Sequence, residues 1–271
     1  MNEANSSSPR VPVVYVPHGG GPWPFVDVGF GEPESYARLA AYLRSLASVP
    51  KAIPRGLLVV SAHWEATVPT VTTSSAPPLL FDYSGFPKAA YELTWPAPGS
   101  PVLAARVREL LSAEGISSGE DAARGFDHGT FVPLKLTYPE PTLPTVQLSL
   151  QRGLDPAAHL ALGAALRPLR DEGIFIVGSG MSYHNMRGFG RAGVASEAFD
   201  AWLQETVRSP RAQRDARLLD WSKAPYARDV HPREEHLLPL MVIAGAAGDD
   251  AGSVPYADTL MSVRISSAHF G

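Results

Sequence analysis

The sequence predicts an α/β fold: a single three-layer domain with a central, mostly parallel or mixed sheet flanked by helices. Two observations carry that expectation. Residues 56–62 and 173–178 are near-continuous apolar runs, the pattern of strands buried on both faces in a parallel sheet. Segments of helical periodicity separate the strand segments, as crossover connections between parallel strands require. A third observation bears on function. Both runs pass through small residues into a histidine, Ser61-Ala62-His63 and Ser179-Gly180-Met181-Ser182-Tyr183-His184. In open α/β sheets, ligands collect beyond the carboxyl ends of the strands.

The elements follow in order. Residues 1–10 are polar and Ser-rich and read as a disordered leader, so 11–271 is taken as the folded domain. Residues 11–16 form a first strand ending in Pro17-His18-Gly19-Gly20-Gly21-Pro22, where glycine lets the backbone turn tightly and a ligand approach closely. A helix is predicted over 34–46, with Tyr36, Leu39, Ala40, Leu43 and Leu46 on one face. The strand at 56–62 completes a strand–helix–strand unit that places His18 and His63 at one sheet edge. A short β-branched segment occupies 68–73. Residues 74–100, rich in Pro, Gly and aromatics, are too apolar for a linker. They read either as one wall of a pocket or as a satellite core under a surface loop.

A helix is predicted over 101–113, then a loop with the polar tip Asp127-His128 between glycines, then a strand over 144–150. The helix over 155–170 has Asp155 as N-cap and Pro156 in first position, with Pro168 ending it early. A helix over 195–207 turns Phe199, Trp202 and Leu203 inward, and a charged, mostly helical or irregular stretch fills 208–230. His231-Pro232-Arg233-Glu234-Glu235-His236 opens an apolar helix to Ala247, in which Pro239 is expected to make a kink. Alternation of Met261, Val263 and Ile265 with Ser262, Arg264 and Ser266 marks a final half-exposed strand.

Composition bounds the chemistry. A chain of 271 residues buries roughly 75% of its unfolded surface, so no metal is needed merely to fold it. Without any cysteine, disulfides, thiolate zinc sites and cysteine nucleophiles are excluded, which fits a cytoplasmic protein. A net charge of -4 without a basic cluster argues against a nucleic-acid surface. No apolar run reaches the length of a membrane span, and the N-terminus lacks the apolar core of a signal peptide. There is no HExxH, and Gly178-Ser179-Gly180 lacks the GxSxG elbow of serine hydrolases. Carboxylates at Glu65, Asp127, Glu234 and Glu235 are placed less tellingly than the histidines.

Eight histidines remain. His159 in mid-helix reads as a surface residue, His269 in the C-terminal tail as an ordinary structural or solvated one, and His231 as a helix-start or surface residue. His18, His63 and His184 form a set, each following an apolar strand, with His128 and His236 able to close over the same edge. Neutral imidazoles converging in this way suit a divalent metal such as Zn, Fe or Cu.

Taken in order, Pro17-His18-Gly19-Gly20-Gly21-Pro22, Ser61-Ala62-His63-Trp64-Glu65, Phe126-Asp127-His128-Gly129-Thr130, Ser182-Tyr183-His184-Asn185 and the segment from His231 to Leu240 resemble the class III extradiol ring-cleavage dioxygenases, most closely the DOPA-dioxygenase-type branch. The resemblance spans residues 17 to 240. It implies one catalytic domain over 11–271, a non-haem Fe(II) site with Zn(II) as a possible occupant, and opening of a catechol ring, DOPA-like or related, by O2. By position, His18, His63 and His236 match the metal ligands. His184 matches an acid/base histidine that can also serve as a ligand to a metal such as zinc, and His128 a second pocket histidine that contacts substrate or oxygen. His231 and Glu235 are competitors for the role of His236.

The implied chemistry is physically coherent. Three neutral ligands leave a 2+ charge uncompensated, which favours binding of a catecholate and lowers its pKa. A histidine, with an ordinary pKa near 6.5, can take the second catechol proton and return it; His184 is the choice for that base and His128 for a hydrogen-bond donor to oxygen or substrate. Phe126, Trp64, Trp23 and Tyr183 are candidate aromatic walls, with core packing as their ordinary alternative. The implied partners are a small aromatic diol and O2, with no nucleic acid and no membrane, in a monomer or small homo-oligomer. The same histidines would also serve a zinc-dependent hydrolase or a non-catalytic relative of the family.

Overall fold

The structure is a computed structural model describing residues 10–29 and 31–271; the expected leader, apart from Arg10, lies outside the described residues. In chain order the elements are β1 (Val13–Pro17), α1 (Pro33–Ser45), β2 (Gly56–Ala66), β3 (Thr70–Thr72), α2 (Pro101–Ala113), β4 (Gly119–Asp121), α3 (His128–Thr137), β5 (Thr145–Gln151), α4 (Pro156–Leu166), β6 (Ile174–Gly180), α5 (Gly193–Arg208), α6 (Arg211–Leu219), α7 (Ala227–Val230), α8 (Leu238–Ala247), β7 (Gly252–Ser253), β8 (Ala257–Leu260), β9 (Val263–Ser266) and β10 (Ala268–Phe270). The main sheet has the order β4-β3-β5-β2-β6-β1-β10-β7. Its centre, β5-β2-β6-β1, is wholly parallel. Antiparallel β3 and β10 border that centre on either side. The three-layer, mixed α/β arrangement expected from the apolar strands is therefore present.

The central strands are buried on both faces because helices flank the sheet. All ten residues of α8 are buried; it packs on β1, β2 and β6 and is covered by α4. With no polar side chain of its own, α8 has its C-terminal carbonyls satisfied from outside. Arg170 Nη1 donates to Ala246 O (2.9 Å) and Ala247 O (3.2 Å), and Arg214 Nη2 to Ala244 O (3.1 Å) and Gly248 O (2.7 Å). Two buried guanidiniums thus meet both the hydrogen-bond demand and the negative end of the helix dipole.

Several expectations change. The strand predicted for 56–62 continues to Ala66, and its register against β5 shifts between Val60 and Glu65. His63 therefore lies within the irregular part of a strand rather than after its end, and such irregularities re-aim a side chain. The loop expected around Asp127-His128 is instead the start of α3, with Asp127 as N-cap accepting from Thr130 N. Asp155 and Pro156 cap α4 as expected, and a 3₁₀ turn over Arg167–Arg170 replaces its last turn at Pro168. Pro239 sits in the first turn of α8, where its missing N–H is harmless, so no interior kink arises. The half-exposed strand expected last is β9, which is not the last in the chain and, among the described residues, pairs only with β8 in a separate hairpin. Met261 and Ser262 form its turn, and β10, which pairs with β1, had no distinct periodicity in the sequence. His159 is buried rather than on the surface, with Nε2 accepting from Gln151 N at 3.1 Å. His231 is buried too, its ring nitrogen Nε2 donating to Ser182 O at 3.0 Å. His269 is half-buried, with Nε2 2.8 Å from the Tyr42 hydroxyl.

Candidate active site and metal centre

Five histidines from five segments meet at the carboxyl end of the parallel strands. His18 follows β1, His63 comes from β2, His128 opens α3, His184 follows β6, and His236 precedes α8. His18 and His63 face each other through Nε2 at 3.1 Å, and His236 Nε2 lies 3.3 Å from His63 Nε2. The His128 ring lies 4.0 Å from that of His63, and the His184 ring stacks on His236 at 3.3 Å between centroids. Ligand-capable atoms fall into two groups, His18–His63–His128 and His184–Glu235–His236, each within 4.8 Å internally. His231, one competitor for the place of His236, bonds away from this cluster.

The backbone that carries these rings is held tightly. His18 N donates to Gly180 O at 3.1 Å. The carbonyl of His236 accepts from both Met181 N (3.1 Å) and the Tyr15 hydroxyl (2.8 Å). Trp23 Nε1 donates to His18 O at 2.7 Å. Buried Asp127 accepts from Ser61 Oγ at 2.7 Å, and Ser61 Oγ in turn accepts from His63 N at 3.2 Å. The burial of Asp127 raises its pKa, as does the nearby Asp82 carboxylate, against the opposing pull of Ser61.

The second nitrogen of each ring settles what the first can do. Ser179 Oγ donates its only proton to Gly129 O, so His18 Nδ1, 3.1 Å away, must donate to that oxygen. Glu235 Oε1 accepts from His184 Nδ1 at 3.0 Å and from His236 Nδ1 at 2.9 Å. Asp82 Oδ1 accepts from His128 Nδ1 at 2.8 Å, while Asp82 Oδ2 lies 3.6 Å from His63 Nδ1. By this network, the neutral forms of His18, His128, His184 and His236 each carry a lone pair on Nε2. In that form His128 presents an acceptor at Nε2, and the expected donor role there needs a second proton on the ring.

His18, His63 and His236 are held neutral. Burial, followed by mutual repulsion among the histidines, depresses His18 and His236 well below the ordinary histidine range. His63 falls to about 3 for the same reasons, with burial first and His128 second. Burial pushes Glu235 upward, but the His184 hydrogen bond and nearby positive charge outweigh it and keep the carboxyl low. His18 and His236 both aim a lone pair at His63 Nε2, which can carry one proton at most. At least one buried lone pair is therefore left without a donor. A divalent cation satisfies all of them. Ring nitrogens bound to one such ion at about 2.1 Å lie about 3.0–3.4 Å apart, the range of the two Nε2 separations here. Carboxylate and hydroxyl partners on the far nitrogens are the usual outer support of such ligands. The residues present fit a metal.

The chain matches the family described as the catalytic LigB subunit of aromatic ring-opening dioxygenase over residues 26–267. It belongs to that family. Relatives of this LigB-family chain include the 4,5-DOPA dioxygenase extradiol of Beta vulgaris, 43% identical over 73% of this chain and 75% of the relative. Dioxygenase tasH of Hapsidospora irregularis is 35% identical, covering 96% and 85%, and the 4,5-DOPA dioxygenase extradiol of Escherichia coli K12 is 34% identical, covering 82% and 84%. A crystal structure of an uncharacterized protein from Escherichia coli K12 superposes with a TM-score of 0.78 at 29% identity, over 97% of this chain and 100% of the other. The LigB-family chain is an extradiol aromatic ring-opening dioxygenase acting with O2, as the sequence resemblance implied.

Some site residues were not legible in advance. Asp82 sits in the aromatic 74–100 loop without any motif to mark it, and in the sequence Ser179 suggests only a nucleophile. Glu235, by position a competitor for the place of His236, accepts from two rings through one oxygen. Among the expected walls, Trp64 lies under the Arg124 guanidinium at 4.5 Å, Phe126 packs on Trp95, Trp23 stacks on Tyr36 and Tyr183 contacts Phe189. None of the four expected walls lines the histidine cavity; Tyr36 and Phe189 do. The 74–100 loop supports the site from behind through Asp82 and supplies no cavity-lining side chain. Among the described residues, no helix is long and apolar enough to cross a membrane.

Proposed function

We propose that residues 11–271 act as one catalytic domain that opens a catechol ring with O2, using Fe(II) held by His18, His63 and His236. The carrying observation is the convergence of these three Nε2 atoms, two of them with lone pairs fixed by partners on Nδ1. Fe(II) so placed would supply the electron path between ring and O2 and acidify the bound diol. His236 is preferred over His128 as third ligand because its Nε2 lies within ligand spacing of His63 Nε2.

His184 is the base. Its Nε2 is free to take a catechol hydroxyl proton, and Glu235 offsets the positive charge that then develops on the ring. His128, steadied by Asp82, presents Nε2 on the other side of the cavity and accepts from a hydroxyl of the substrate. Both rings can return a proton through the same atom as the product forms. Continuity of one hydrophobic core from Val11 to Phe270 supports treating the chain as a single unit. The names of the relatives, 4,5-DOPA dioxygenase extradiol, support a catechol as substrate class.

Anaerobic loading with Fe(II), followed by a catechol and air, tests the reading. Expected are O2 uptake and a yellow ring-opened product, both absent with zinc alone. Iron-loaded protein that consumes no O2 with any catechol, or a zinc-loaded form that instead cleaves esters or amides, would contradict it.

A further inference from the structure

The histidines form only the floor of their cavity. The remaining side chains around its roughly 220 Å³ are Tyr36, Met181, Met186, Phe189, Leu260 and Met261. Among the described residues, no Arg, Lys, Asp or Glu lines it. The carboxylates nearest the floor, Asp82 and Glu235, are engaged by imidazoles behind it. Among the described residues, the only hydroxyl in the wall, that of Tyr36, points at Met261 Sδ at 3.7 Å. Burial, with Glu32 second, raises the Tyr36 pKa to about 12, so it stays neutral.

The wall is built deliberately. Met261 and Ser262 both adopt left-handed backbone conformations, with φ of 50° and 63°, in the two-residue turn joining β8 to β9. Such turns ordinarily favour Gly, Asn or Asp. Holding a methionine there is strained, and the strain presents its thioether to the cavity. Three of the chain's five methionines line this one space, giving it a polarizable wall that adapts to apolar groups.

We infer that this wall is a subsite for an apolar ring substituent, and that the preferred substrate is a catechol bearing a short alkyl or similar group rather than an amino-acid side chain. The inference rests on the proposed catechol reading of the same site. A benzene ring fills a cavity of about 150 Å³, so the space here accommodates a diol ring and a substituent of a few carbons. The zwitterion of DOPA begins one methylene beyond the ring. It would fall among these apolar side chains, its ammonium and carboxylate lacking a charged partner, and such burial is unfavourable. An ethyl group at the same position meets only thioethers, leucine and aromatic rings.

The test compares 4-methylcatechol, 4-ethylcatechol and L-DOPA in two ways: kcat/KM from O2 uptake with iron-loaded protein, and anaerobic calorimetric binding to the redox-inert zinc-loaded protein. The alkylcatechols are expected to exceed L-DOPA by about tenfold or more in both, the scale on which apolar pockets discriminate. Met186→Arg, at an exposed position on the cavity rim, is expected to lower the 4-ethylcatechol to L-DOPA ratio several-fold. L-DOPA binding or turning over as well as the alkylcatechols would overturn the inference, as would an unchanged ratio in Met186→Arg or failure of all three to bind. Retained alkyl preference in binding without any ring opening would instead sink the proposed function and leave the subsite standing.

Discussion

Glu235 Oε1 accepts from two imidazoles at once, His184 at 3.0 Å and His236 at 2.9 Å. One oxygen thereby sets the tautomer of a proposed ligand and of the proposed base. Arg233 ties it outward, with Nη1 3.4 Å from Glu235 Oε2 and 2.5 Å from Glu65 Oε1. Glu65, the residue that closes the Ser61-Ala62-His63-Trp64 stretch, thus anchors the arginine that steadies Glu235. The two rings should separate on mutation. His184→Ala is expected to retain bound iron while losing about 10²–10⁴-fold in turnover, the usual worth of a general base. His236→Ala is expected to lose the metal itself. Metal analysis beside kcat checks this; near-normal turnover in His184→Ala would remove it from the base role. The histidines were readable as a set because each follows an apolar strand or opens a helix. Their supports were not, because Asp82 and Ser179 are joined to them only by tertiary packing.

A histidine outside the site gives a pH prediction. Burial lowers His231 to about 3, against the opposing pull of the Ser182 carbonyl. The unfolded chain binds a proton here below about pH 6.5, while the folded chain does not. Stability is therefore fully present above that pH and declines by about 1.4 kcal/mol per pH unit below it, until the folded-state pKa is reached. Urea titrations of metal-free protein between pH 6 and 4 should show a shallower decline in His231→Phe than in wild type. Equal slopes would mean that the ring is protonated in the fold.

At the scale of elements, close approach between β6 and the segment entering α8 brings His236 to the floor of the site. Gly180 makes that approach possible: a Cβ there would overlap the His236 carbonyl oxygen. Gly129, in the first turn of α3, is similar, since a Cβ would lie 2.6 Å from Ser61 Oγ and 2.9 Å from His63 Cδ2. Gly180→Ala is expected to lower stability by about 1–3 kcal/mol and to weaken metal binding together with it, read by urea denaturation and metal titration. Unchanged metal affinity would show that this backbone contact does not set the position of His236. Element type was legible where periodicity was long, as in α1, α2 and α5. It failed where tertiary context decided. Asp127 turned an apparent loop into a capped helix, and the register shift carried β2 past His63. Pro239 was harmless because the residues before it, which carry His236, are a turn rather than a first helical coil.

Across the whole molecule, a parallel sheet centre delivers five imidazoles to one edge, and helices bury everything beneath them. The fold class was readable because double-sided burial writes itself as continuous apolar runs. The cavity wall was not, since Tyr36, Met186, Phe189 and Met261 come from separate segments with no shared motif. The central claim is that this arrangement inserts O2 into an aromatic ring. Mass spectrometry of the product formed by iron-loaded protein from 4-methylcatechol under ¹⁸O₂ tests it most directly. Both labelled atoms are expected in the ring-opened product. Label confined to water or peroxide, or only one atom incorporated from O2 under conditions that exclude carbonyl exchange with solvent, would contradict it.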